Sequence, residues 1–394
     1  MTLPFQLPQL PAGLSYDLLL RVFYIVVIIA VFPLIAGYIV LLERKVMADI
    51  QARLGPMRVG PHGLLQPIAD AVKLLIKEDI IPASADKWVF WLAPCISVVA
   101  ALVSFSFIPF SDKIYVTDAN IGLLFILSIS SVGILGIILG GWSSNSHYPL
   151  LGALRSAAQL VSYEVALGFA IIGGLMVAGT LSMQEIVKAQ FDQKIWFVFY
   201  QPVAAFIYLV AAMAETNRAP FDMPEAESEI VAGYHTEYSG FRFALYFLAE
   251  YSNIVIVSSI AVTLFFGGWL RPFANVHALD FLDYFPAAAT VGVGALCLLG
   301  AAREQRMLDK AGMGALGAIL VLVGATFVWA PVLGIVKGLF WFSFKVGVSI
   351  YMFIWVRFTF PRYRYDQLMN IGWRFLIPLS IANVIVTGAI MMFK

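Results

Sequence analysis

The amino-acid sequence predicts an all-α polytopic membrane protein. Three observations lead to this prediction: 61% of the 394 residues are hydrophobic, only 12% are charged, and long apolar runs recur along the chain. A soluble globular domain carries roughly 25% charged residues, whereas a membrane-spanning helix needs ~20 predominantly apolar residues in succession. The chain is therefore predicted to form a single integral membrane domain over residues 1–394.

About ten apolar runs are long enough to cross a bilayer as helices. They lie at 22–42, 88–110, 120–142, 157–179, 195–214, 243–270, 284–302, 313–335, 338–356 and 375–393. The pair within 284–335 is rich in Ala, Gly, Leu and Val and has no charge inside either run. We interpret this pair as an inserted hydrophobic hairpin, with a re-entrant pair as the structural alternative.

Basic residues predict the orientation of the spans. Those that follow the first run are Arg44, Lys45, Arg53, Arg58, Lys73, Lys77 and Lys87. Cytoplasmic loops of membrane proteins carry an excess of Lys and Arg, and the later basic clusters fall on the same side when the spans are counted onward. The loops at 43–87, 143–156, 215–242, 303–312 and 357–374 are thus predicted to be cytoplasmic, with both termini on the opposite face.

The first cytoplasmic loop contains an amphipathic segment at 62–79. Its apolar residues at helical spacing are Leu64, Leu65, Ile68, Val72, Leu75 and Ile76. Gln66, Asp70, Lys73 and Lys77 fall on the opposite face. A helix of this kind is expected to lie along the membrane surface with its apolar face down; packing against the end of the bundle is the alternative.

The loop at 215–242 concentrates negative charge between two apolar runs. Its acidic residues are Glu215, Asp222, Glu225, Glu227, Glu229 and Glu237. Asp222 and Glu225 fit a capping box at a helix start, but capping does not explain Glu227 and Glu229. Crowded carboxylates raise one another's pKa and so exchange protons more readily near neutral pH. This pattern favours a proton-conducting or charge-switching loop.

Other carboxylates are predicted to lie inside the bilayer. Glu164 and Glu250 each fall about seven residues into a run from its cytoplasmic end, and Glu43 and Glu215 end runs on that same side. At ~1.5 Å per residue the first two lie ~10 Å below the surface. Ionisable groups at such depth usually mark an ion or proton path.

Two basic residues belong with these carboxylates. Arg155 is the predicted partner of Glu164. Lys345 is alone in its span, which makes it a candidate for a proton relay, with a structural ion pair as the alternative.

No redox centre within the chain is predicted. His62, His147, His235 and His277 lie outside the apolar runs, so a bis-histidine haem site inside the bundle is not expected. Cys95 and Cys297 are isolated, and neither a nucleotide-binding glycine motif nor a metal-ligand cluster occurs. Any electrons would be carried by another chain. A net charge of +1 without a basic run argues against nucleic acid.

Several motifs together resemble a known family. They are Glu43-Arg44-Lys45, Gln51-Ala52-Arg53-Leu54-Gly55-Pro56, Pro67 through Lys73, Gly152 through Ser156, Ser162-Tyr163-Glu164, the 215–240 segment, Ala249-Glu250-Tyr251, Gly267-Gly268-Trp269 and Arg362 through Gln367. They resemble the H-subunit family of bacterial NADH:quinone oxidoreductase, respiratory complex I. The resemblance covers nearly the whole chain except about 272–331. The usual pattern of that family has eight spans, so the 284–335 pair is a departure from it.

The resemblance implies a role at the junction of the hydrophilic and membrane arms, in the bacterial inner membrane. The chain would form the membrane side of a quinone tunnel between the first span, the surface helix and the sixth span. Residues lining or gating the tunnel would be Glu43, Arg44, Arg53, Asp70, Phe243 and Phe247. Quinone would be the substrate, while FMN and iron–sulfur clusters would lie on partner subunits.

The resemblance also implies that the acidic loop, with Glu164 and Glu250, starts a chain of charged groups leading to antiporter-like subunits. With the two basic candidates added, the predicted proton-coupling set is Glu164, Arg155, Glu215, Asp222, Glu225, Glu227, Glu229, Glu237, Glu250 and Lys345.

Other functions stay open at this stage. An equivalent subunit of a membrane-bound hydrogenase, or of a ferredoxin- or formate-linked complex, would keep many of these motifs without a quinone tunnel. A stand-alone cation/proton antiporter would also need buried carboxylates, but such proteins usually show internal repeats, and this sequence shows none. An inert assembly scaffold would have no use for buried acids.

Overall fold

The computed structural model describes residues 16–223, 231–274, 276–303 and 307–393. Within these ranges every regular element is a helix. The α-helices are α1 (Tyr16–Ile50), α2 (Gln66–Ile76), α3 (Lys87–Phe105), α4 (Gly122–Ser143), α5 (His147–Ala178), α6 (Met183–Asp192), α7 (Phe197–Tyr200), α8 (Pro202–Glu215), α9 (Gly240–Phe265), α10 (Phe285–Arg303), α11 (Met307–Thr326), α12 (Ala330–Thr359), α13 (Tyr365–Asn370) and α14 (Ile377–Met392). Short 3₁₀ helices cover Pro61–Gly63, Gly233–His235 and His277–Tyr284, and a π-helical turn, Ile371–Leu376, joins α13 to α14.

The prediction of an all-α polytopic membrane protein is confirmed. Nine helical segments in the described part of the chain are long and apolar enough to cross a bilayer. The remaining predicted run, at 195–214, covers the short helix α7 and then α8, an apolar helix of 14 residues. Nine of the ten predicted runs therefore correspond in order to helices long enough to span, and the tenth corresponds to a shorter apolar helix.

Helix α9 occupies the middle of the bundle. It is the most deeply buried of the spanning segments and packs against α1, α2, α3 and α12. Its regular hydrogen bonding stops before Gly267 and Gly268, both of which have positive φ, a conformation that glycine adopts without steric cost. The central position of α9 lets it contribute to sites at both ends of the molecule.

The predicted hairpin forms two antiparallel helices, α10 and α11, of 19 and 20 residues. Both are long enough to span a bilayer, which agrees with a hairpin rather than a re-entrant pair. Their backbones approach closely, because a Cβ atom at Gly294 would lie 2.9 Å from the carbonyl oxygen of Gly317. Small residues permit this kind of contact between membrane helices.

The amphipathic helix α2 is shorter than the predicted segment at 62–79. A separate 3₁₀ turn precedes it, and Pro67 occupies its first turn, where proline fits without losing a hydrogen bond. Val72, Leu75 and Ile76 are exposed, while α1 and α9 pack against the helix. This arrangement is consistent with a surface helix whose apolar side chains meet lipid.

The first part of the acidic loop is folded into the protein. Asn217, Arg218 and Asp222 are all buried. The Gln159 side chain on α5 fixes this part of the loop by donating to the backbone oxygens of Ala214 at 2.9 Å and Phe221 at 2.7 Å. Glu225, Glu227 and Glu229 lie outside the described residues.

Candidate functional site

An apolar cavity of about 450 Å³ lies between α1, α2 and α9. Its volume is in the range of small-molecule sites, which is roughly 300–1,000 Å³. Helix α1 contributes residues from Pro33 to Arg44, α2 contributes residues from Gln66 to Leu75, and α9 contributes residues from Phe241 to Tyr251. These are the three elements between which the family resemblance implies a tunnel.

Local sequence explains how these helices form the walls. A Cβ atom at Gly37 would lie 3.2 Å from that of Pro67, so α1 and α2 meet where α1 has no side chain. On α9, Phe243, Phe247 and Tyr251 follow one another at intervals of four residues and share one face. Their successive ring centroids are 6.0 and 4.7 Å apart. One wall of the cavity is therefore an aromatic stripe.

One part of the cavity wall is polar. Arg44 pairs with Asp70 at 2.7 Å, and the Gln66 amide donates to the other carboxylate oxygen at 3.0 Å. The structure thus brings together Arg44, Asp70, Phe243 and Phe247 of the predicted tunnel residues. Arg53 does not join them: it is exposed and donates to the side chain of Gln51.

Glu43 lies behind the cavity wall. It is buried, and the hydroxyl of Tyr251, which does line the cavity, donates to its carboxylate at 2.7 Å. Arg357 on α12 forms an ion pair with the other oxygen of Glu43. Because Tyr251 belongs to both the wall and this contact, a change inside the cavity can reach Glu43 through one side chain.

Arg218 connects Glu43 to Glu250. Its guanidinium lies 2.7 Å from the Glu250 carboxylate, 3.8 Å from that of Glu43, and 4.4 Å from the centre of the Tyr251 ring. The Arg218 side chain is only 9% exposed. A buried carboxylate without a cation is strongly unfavourable, so the contacts with Arg218 offset the cost of burying these two acids.

Glu164 and Glu215 lie beyond this charge network. Their carboxylates interact electrostatically, and the Ser131 hydroxyl donates to Glu164. Glu215 and Glu250 both line a small polar cavity of about 50 Å³ between α3, α4 and α9, which is large enough to hold water. The four carboxylates that were predicted to form one layer thus lie around α9; they are Glu43, Glu164, Glu215 and Glu250.

Arg155, the predicted partner of Glu164, is placed differently. The two residues are nine positions apart on α5, which is ~13 Å along the axis and on opposite faces of a helix. Ser131 on α4 takes the predicted place of Arg155 beside Glu164.

Two further predicted acids lie in the segment between α8 and α9. Asp222 is buried and forms an ion pair with Arg362 at 2.9 Å, and the backbone N–H of Tyr363 donates to the carbonyl oxygen of Pro220. The segment after α12 therefore covers the buried part of the acidic loop. Glu237 is partly buried after the 3₁₀ turn Gly233–His235.

That turn carries a partly buried histidine close to the cavity wall. The His235 ring packs edge-on against Phe243 at 5.4 Å and against Tyr234 at 4.9 Å. Burial lowers the pKa of His235 to about 4, because an apolar environment disfavours the charged ring. His235 is therefore neutral at pH 7.

Lys345 lies at the other end of α9, away from the carboxylates. Its ammonium group donates to the backbone oxygens of Phe266, Gly268 and Leu270 at 2.7, 3.0 and 2.6 Å. It also lies 4.7 Å from the centre of the Trp196 ring. Three carbonyl acceptors match the three donors of a charged ammonium.

Sequence reasoning missed Arg218, Tyr251 and Arg357 as members of the site. The four-residue spacing that begins at Phe243 and Phe247 was a signal for Tyr251. Arg218 and Arg357 had no such signal, because a basic residue in a loop or in the last turn of a spanning helix is typical of any cytoplasmic loop.

The fold and the site define a polytopic membrane protein in which an apolar ligand cavity adjoins a buried network of acids and guanidinium groups. The model of the NADH dehydrogenase family matches residues 23–388, and the chain belongs to this family.

Three similar curated relatives are named as H subunits of NADH-quinone oxidoreductase. The H subunit numbered 2 of Solibacter usitatus is 60% identical, over 96% of this chain and 98% of the relative. The H subunit numbered 1 of Koribacter versatilis is 52% identical over 93% and 90%, and that numbered 2 of Geobacter sulfurreducens is 40% identical over 97% and 99%.

Proposed function

We propose that this chain is the H-type membrane component of a proton-translocating NADH:quinone oxidoreductase. In this role it forms the quinone access cavity and relays quinone redox chemistry towards proton pumping. One observation carries the proposal: Tyr251 lines the apolar cavity and also contacts the buried charges of Glu43 and Arg218.

The cavity suits a quinone with an apolar tail. Its walls are mostly apolar and include the aromatic stripe on α9, while Arg44 and Asp70 place a hydrogen-bonded ion pair in the wall. Small-molecule sites commonly combine an apolar lining with a few polar groups that fix orientation. We assign Arg44, Asp70, Phe243 and Phe247 to the wall and Glu43 to the layer behind it. Arg53 keeps a proposed role at the surface on the resemblance alone.

Quinone reduction to quinol consumes two electrons and two protons. The electrons would come from FMN and iron–sulfur clusters on partner subunits, so this chain would need no cofactor of its own. A change of charge in the cavity would act on Tyr251 and Glu43, and through Arg218 on Glu250. The remaining proposed members of the relay are Glu215, Glu164, Arg155, Asp222, Glu225, Glu227, Glu229 and Glu237.

The proposed partners are the other subunits of complex I. The quinone-site and iron–sulfur subunits of the hydrophilic arm would meet the cytoplasmic loops, and small and antiporter-like subunits would meet the spans. The location would be the bacterial inner membrane, with both termini on the non-cytoplasmic side and the exposed apolar helix faces in lipid.

A blocked cavity tests the proposal. In Gly37→Leu, the new side chain would enter the space between α1 and Pro67, so the KM for quinone is expected to rise by about tenfold or more. Gly347→Leu on α12 is the matched control, because a Cβ atom there meets nothing within 4 Å. Both variants would be measured in the assembled complex, together with NADH oxidation by a water-soluble acceptor that bypasses the quinone.

The bypass reaction should stay normal in both variants. Unchanged quinone kinetics in Gly37→Leu would contradict a quinone site in this cavity and would leave the hydrogenase-type interpretation standing.

A further inference from the structure

The inserted hairpin α10–α11 is fixed to the rest of the protein at its two ends. On the non-cytoplasmic side, Asp283 pairs with Arg271 at 3.6 Å and with Lys337 at 3.3 Å, and the Phe285 ring stacks on Trp341 at 5.7 Å. On the cytoplasmic side, α11 contacts the 3₁₀ turn Pro61–Gly63. The hairpin therefore links the outer end of α12 to the loop that leads into α2.

The cytoplasmic contact depends on one glycine. A Cβ atom at Gly312 would lie 2.6 Å from Cγ of Pro61, closer than real contacts allow. Two residues further along α11, a Cβ atom at Gly314 would meet only Ala301, at 4.0 Å. At Gly312 the surface of α11 thus packs directly against the Pro61 ring, whereas at Gly314 it leaves room for a methyl group.

The turn Pro61–Gly63, which packs against Gly312, is fixed by several contacts. Gly63 has φ +78 and faces the carbonyl oxygen of Pro56 so closely that a Cβ atom has no room. The Lys45 ammonium donates to the His62 carbonyl oxygen at 2.7 Å, and the Leu65 N–H donates to the Val59 oxygen at 3.2 Å. Because the turn has little freedom, a displacement of Pro61 must move its neighbours.

Those neighbours form the cavity. Helix α2 begins at Gln66, five residues after Pro61, and carries Asp70. Lys45, which binds the turn, directly follows Arg44, the partner of Asp70. A shift of the turn therefore reaches both members of the ion pair in the cavity wall.

We propose that the α10–α11 hairpin is a brace for the cavity, and that Gly312 and Pro61 are positioning residues for the ligand. The contact of Gly312 with Pro61 sets the position of the turn, the turn sets α2, and α2 sets the Arg44–Asp70 wall. This proposal rests on the proposed function, because the ligand whose binding it tunes is the quinone.

Four variants of the assembled complex test the brace: Gly312→Ala, the control Gly314→Ala, Pro61→Ala, and the double variant Gly312→Ala with Pro61→Ala. Both glycine variants add the same methyl group to the same helix, so they change helix propensity equally. The measurements are KM and kcat for quinone, the bypass reaction with a water-soluble acceptor, and the amount of assembled complex.

Gly312→Ala is expected to raise the quinone KM by about 3- to 10-fold, the effect of overpacking by one methyl group, with kcat and the bypass reaction unchanged. Gly314→Ala should match the unmodified protein. Pro61→Ala should raise the quinone KM as well, because the turn loses the ring that packs against Gly312. The double variant should return towards normal, since the new methyl group fills part of the space of the lost ring.

Equal KM values for Gly312→Ala and Gly314→Ala would overturn the proposal. So would a loss of assembled complex in Gly312→Ala without a change in KM, which would show a purely structural contact. If Gly312→Ala does not assemble, the proposal is overturned when the quinone KM of the double variant is as high as that of Pro61→Ala alone, or higher. Gly37→Leu is measured in parallel. A normal quinone KM in Gly37→Leu rejects the quinone cavity itself. A raised quinone KM in Gly37→Leu, together with a normal one in Gly312→Ala, rejects only the brace.

Discussion

The buried guanidinium of Arg218 determines how two acids coexist near the middle of the bundle. Glu43 contacts Tyr251, Arg357 and, at 3.8 Å, Arg218, whereas Glu250 lies closer to Arg218, at 2.7 Å. Removing one member of a buried pair leaves the other charge uncompensated, at a typical cost of about 3–5 kcal/mol. The two carboxylates should therefore respond differently to the loss of Arg218.

Arg218→Met is expected to destabilise the protein by about 3–5 kcal/mol, because the carboxylates of Glu250 and Glu43 lose the guanidinium that lies between them. Combining it with Glu250→Gln should recover a large part of this loss, since Glu43 keeps Arg357 and Tyr251. Thermal unfolding of the purified complex carrying each single variant and the double variant would give the coupling energy. Simple additivity of the two single effects would contradict a direct Arg218–Glu250 interaction.

Tyr251→Phe tests the connection from the cavity to Glu43. The ring that forms the wall is kept and the hydroxyl that donates to Glu43 is lost, a hydrogen bond to a charged group worth about 1.5–3 kcal/mol. We expect a nearly normal KM for quinone, with fewer protons pumped per quinone reduced.

The neighbouring tyrosine is the matched control for this variant. Tyr246 is also buried, but its hydroxyl donates at 3.0 Å to the carbonyl oxygen of Gly136, away from Glu43. Tyr246→Phe should reduce stability and leave the pumping ratio unchanged. Identical pumping ratios in the two variants would remove Tyr251 from the relay.

The residues of the site were predictable to different degrees. Phe243 and Phe247 were named as tunnel residues by the family resemblance, and their four-residue spacing adds that they share one face of a helix. Arg218 was not predictable as a buried group, because the sequence places it in a charged loop and only the Gln159 contacts show that this part of the loop is folded inwards. The partner of Glu43 on α12 is 314 residues away, and no local pattern encodes such a pairing.

Among the elements, the 3₁₀ turn Gly233–His235 has a pH dependence that follows from burial. The pKa of His235 is about 4 in the folded protein, against an ordinary value of 6.5. Below pH 6.5 an opened turn binds a proton that the closed turn does not, so the stability of the turn is complete above pH 6.5 and falls as the pH drops towards 4. At pH 5.5 the loss is about 1.4 kcal/mol, one pH unit below the unfolded pKa.

Hydrogen exchange of residues 231–239 in the assembled complex would measure this effect. Opening should be about tenfold more frequent at pH 5.5 than at pH 7.5 after correction for intrinsic exchange. His235→Gln should abolish the difference, and replacing the exposed His147 by Gln should preserve it. A pH difference that survives in His235→Gln would assign the effect to another group.

The helices themselves were largely predictable. Each span needs a minimum apolar length to cross a bilayer, and that length is visible in the sequence, including the runs that become α10 and α11. Helix α2 covers Gln66–Ile76 within the predicted segment at 62–79, because the 3₁₀ turn Pro61–Gly63 takes up the start of that segment and an extended backbone at Lys77 ends the helix. Periodicity reports which residues share a face, but it does not report where a turn interrupts the helix.

At the scale of the whole molecule, the late part of the chain completes sites that the early part begins. Arg357 pairs with Glu43 and Arg362 pairs with Asp222, so the end of α12 and the segment after it neutralise acids of α1 and of the loop after α8. Opposite charges that are far apart in sequence thereby hold this end of the bundle together around α9.

Two interpretations of Lys345, as a proton relay and as a helix cap, are distinguished by its position at the end of α9 remote from Glu250. About 16 residues separate Glu250 from Phe266, whose carbonyl binds Lys345, which is ~24 Å along a helix. As a relay residue, Lys345 would release its proton during turnover. As a cap, it would stay charged and neutralise the carbonyl oxygens at the end of α9. Three short hydrogen bonds to carbonyl oxygens favour the cap.

We therefore expect Lys345→Met to lower the melting temperature of the complex, because three buried carbonyl groups lose their donor, and to leave the ratio of protons pumped to quinone reduced unchanged. Lys345→Arg should recover part of the stability, since it keeps the positive charge. A normal melting temperature with a reduced pumping ratio would establish the relay instead, and would extend the proton path from the cytoplasmic carboxylates to the opposite end of α9.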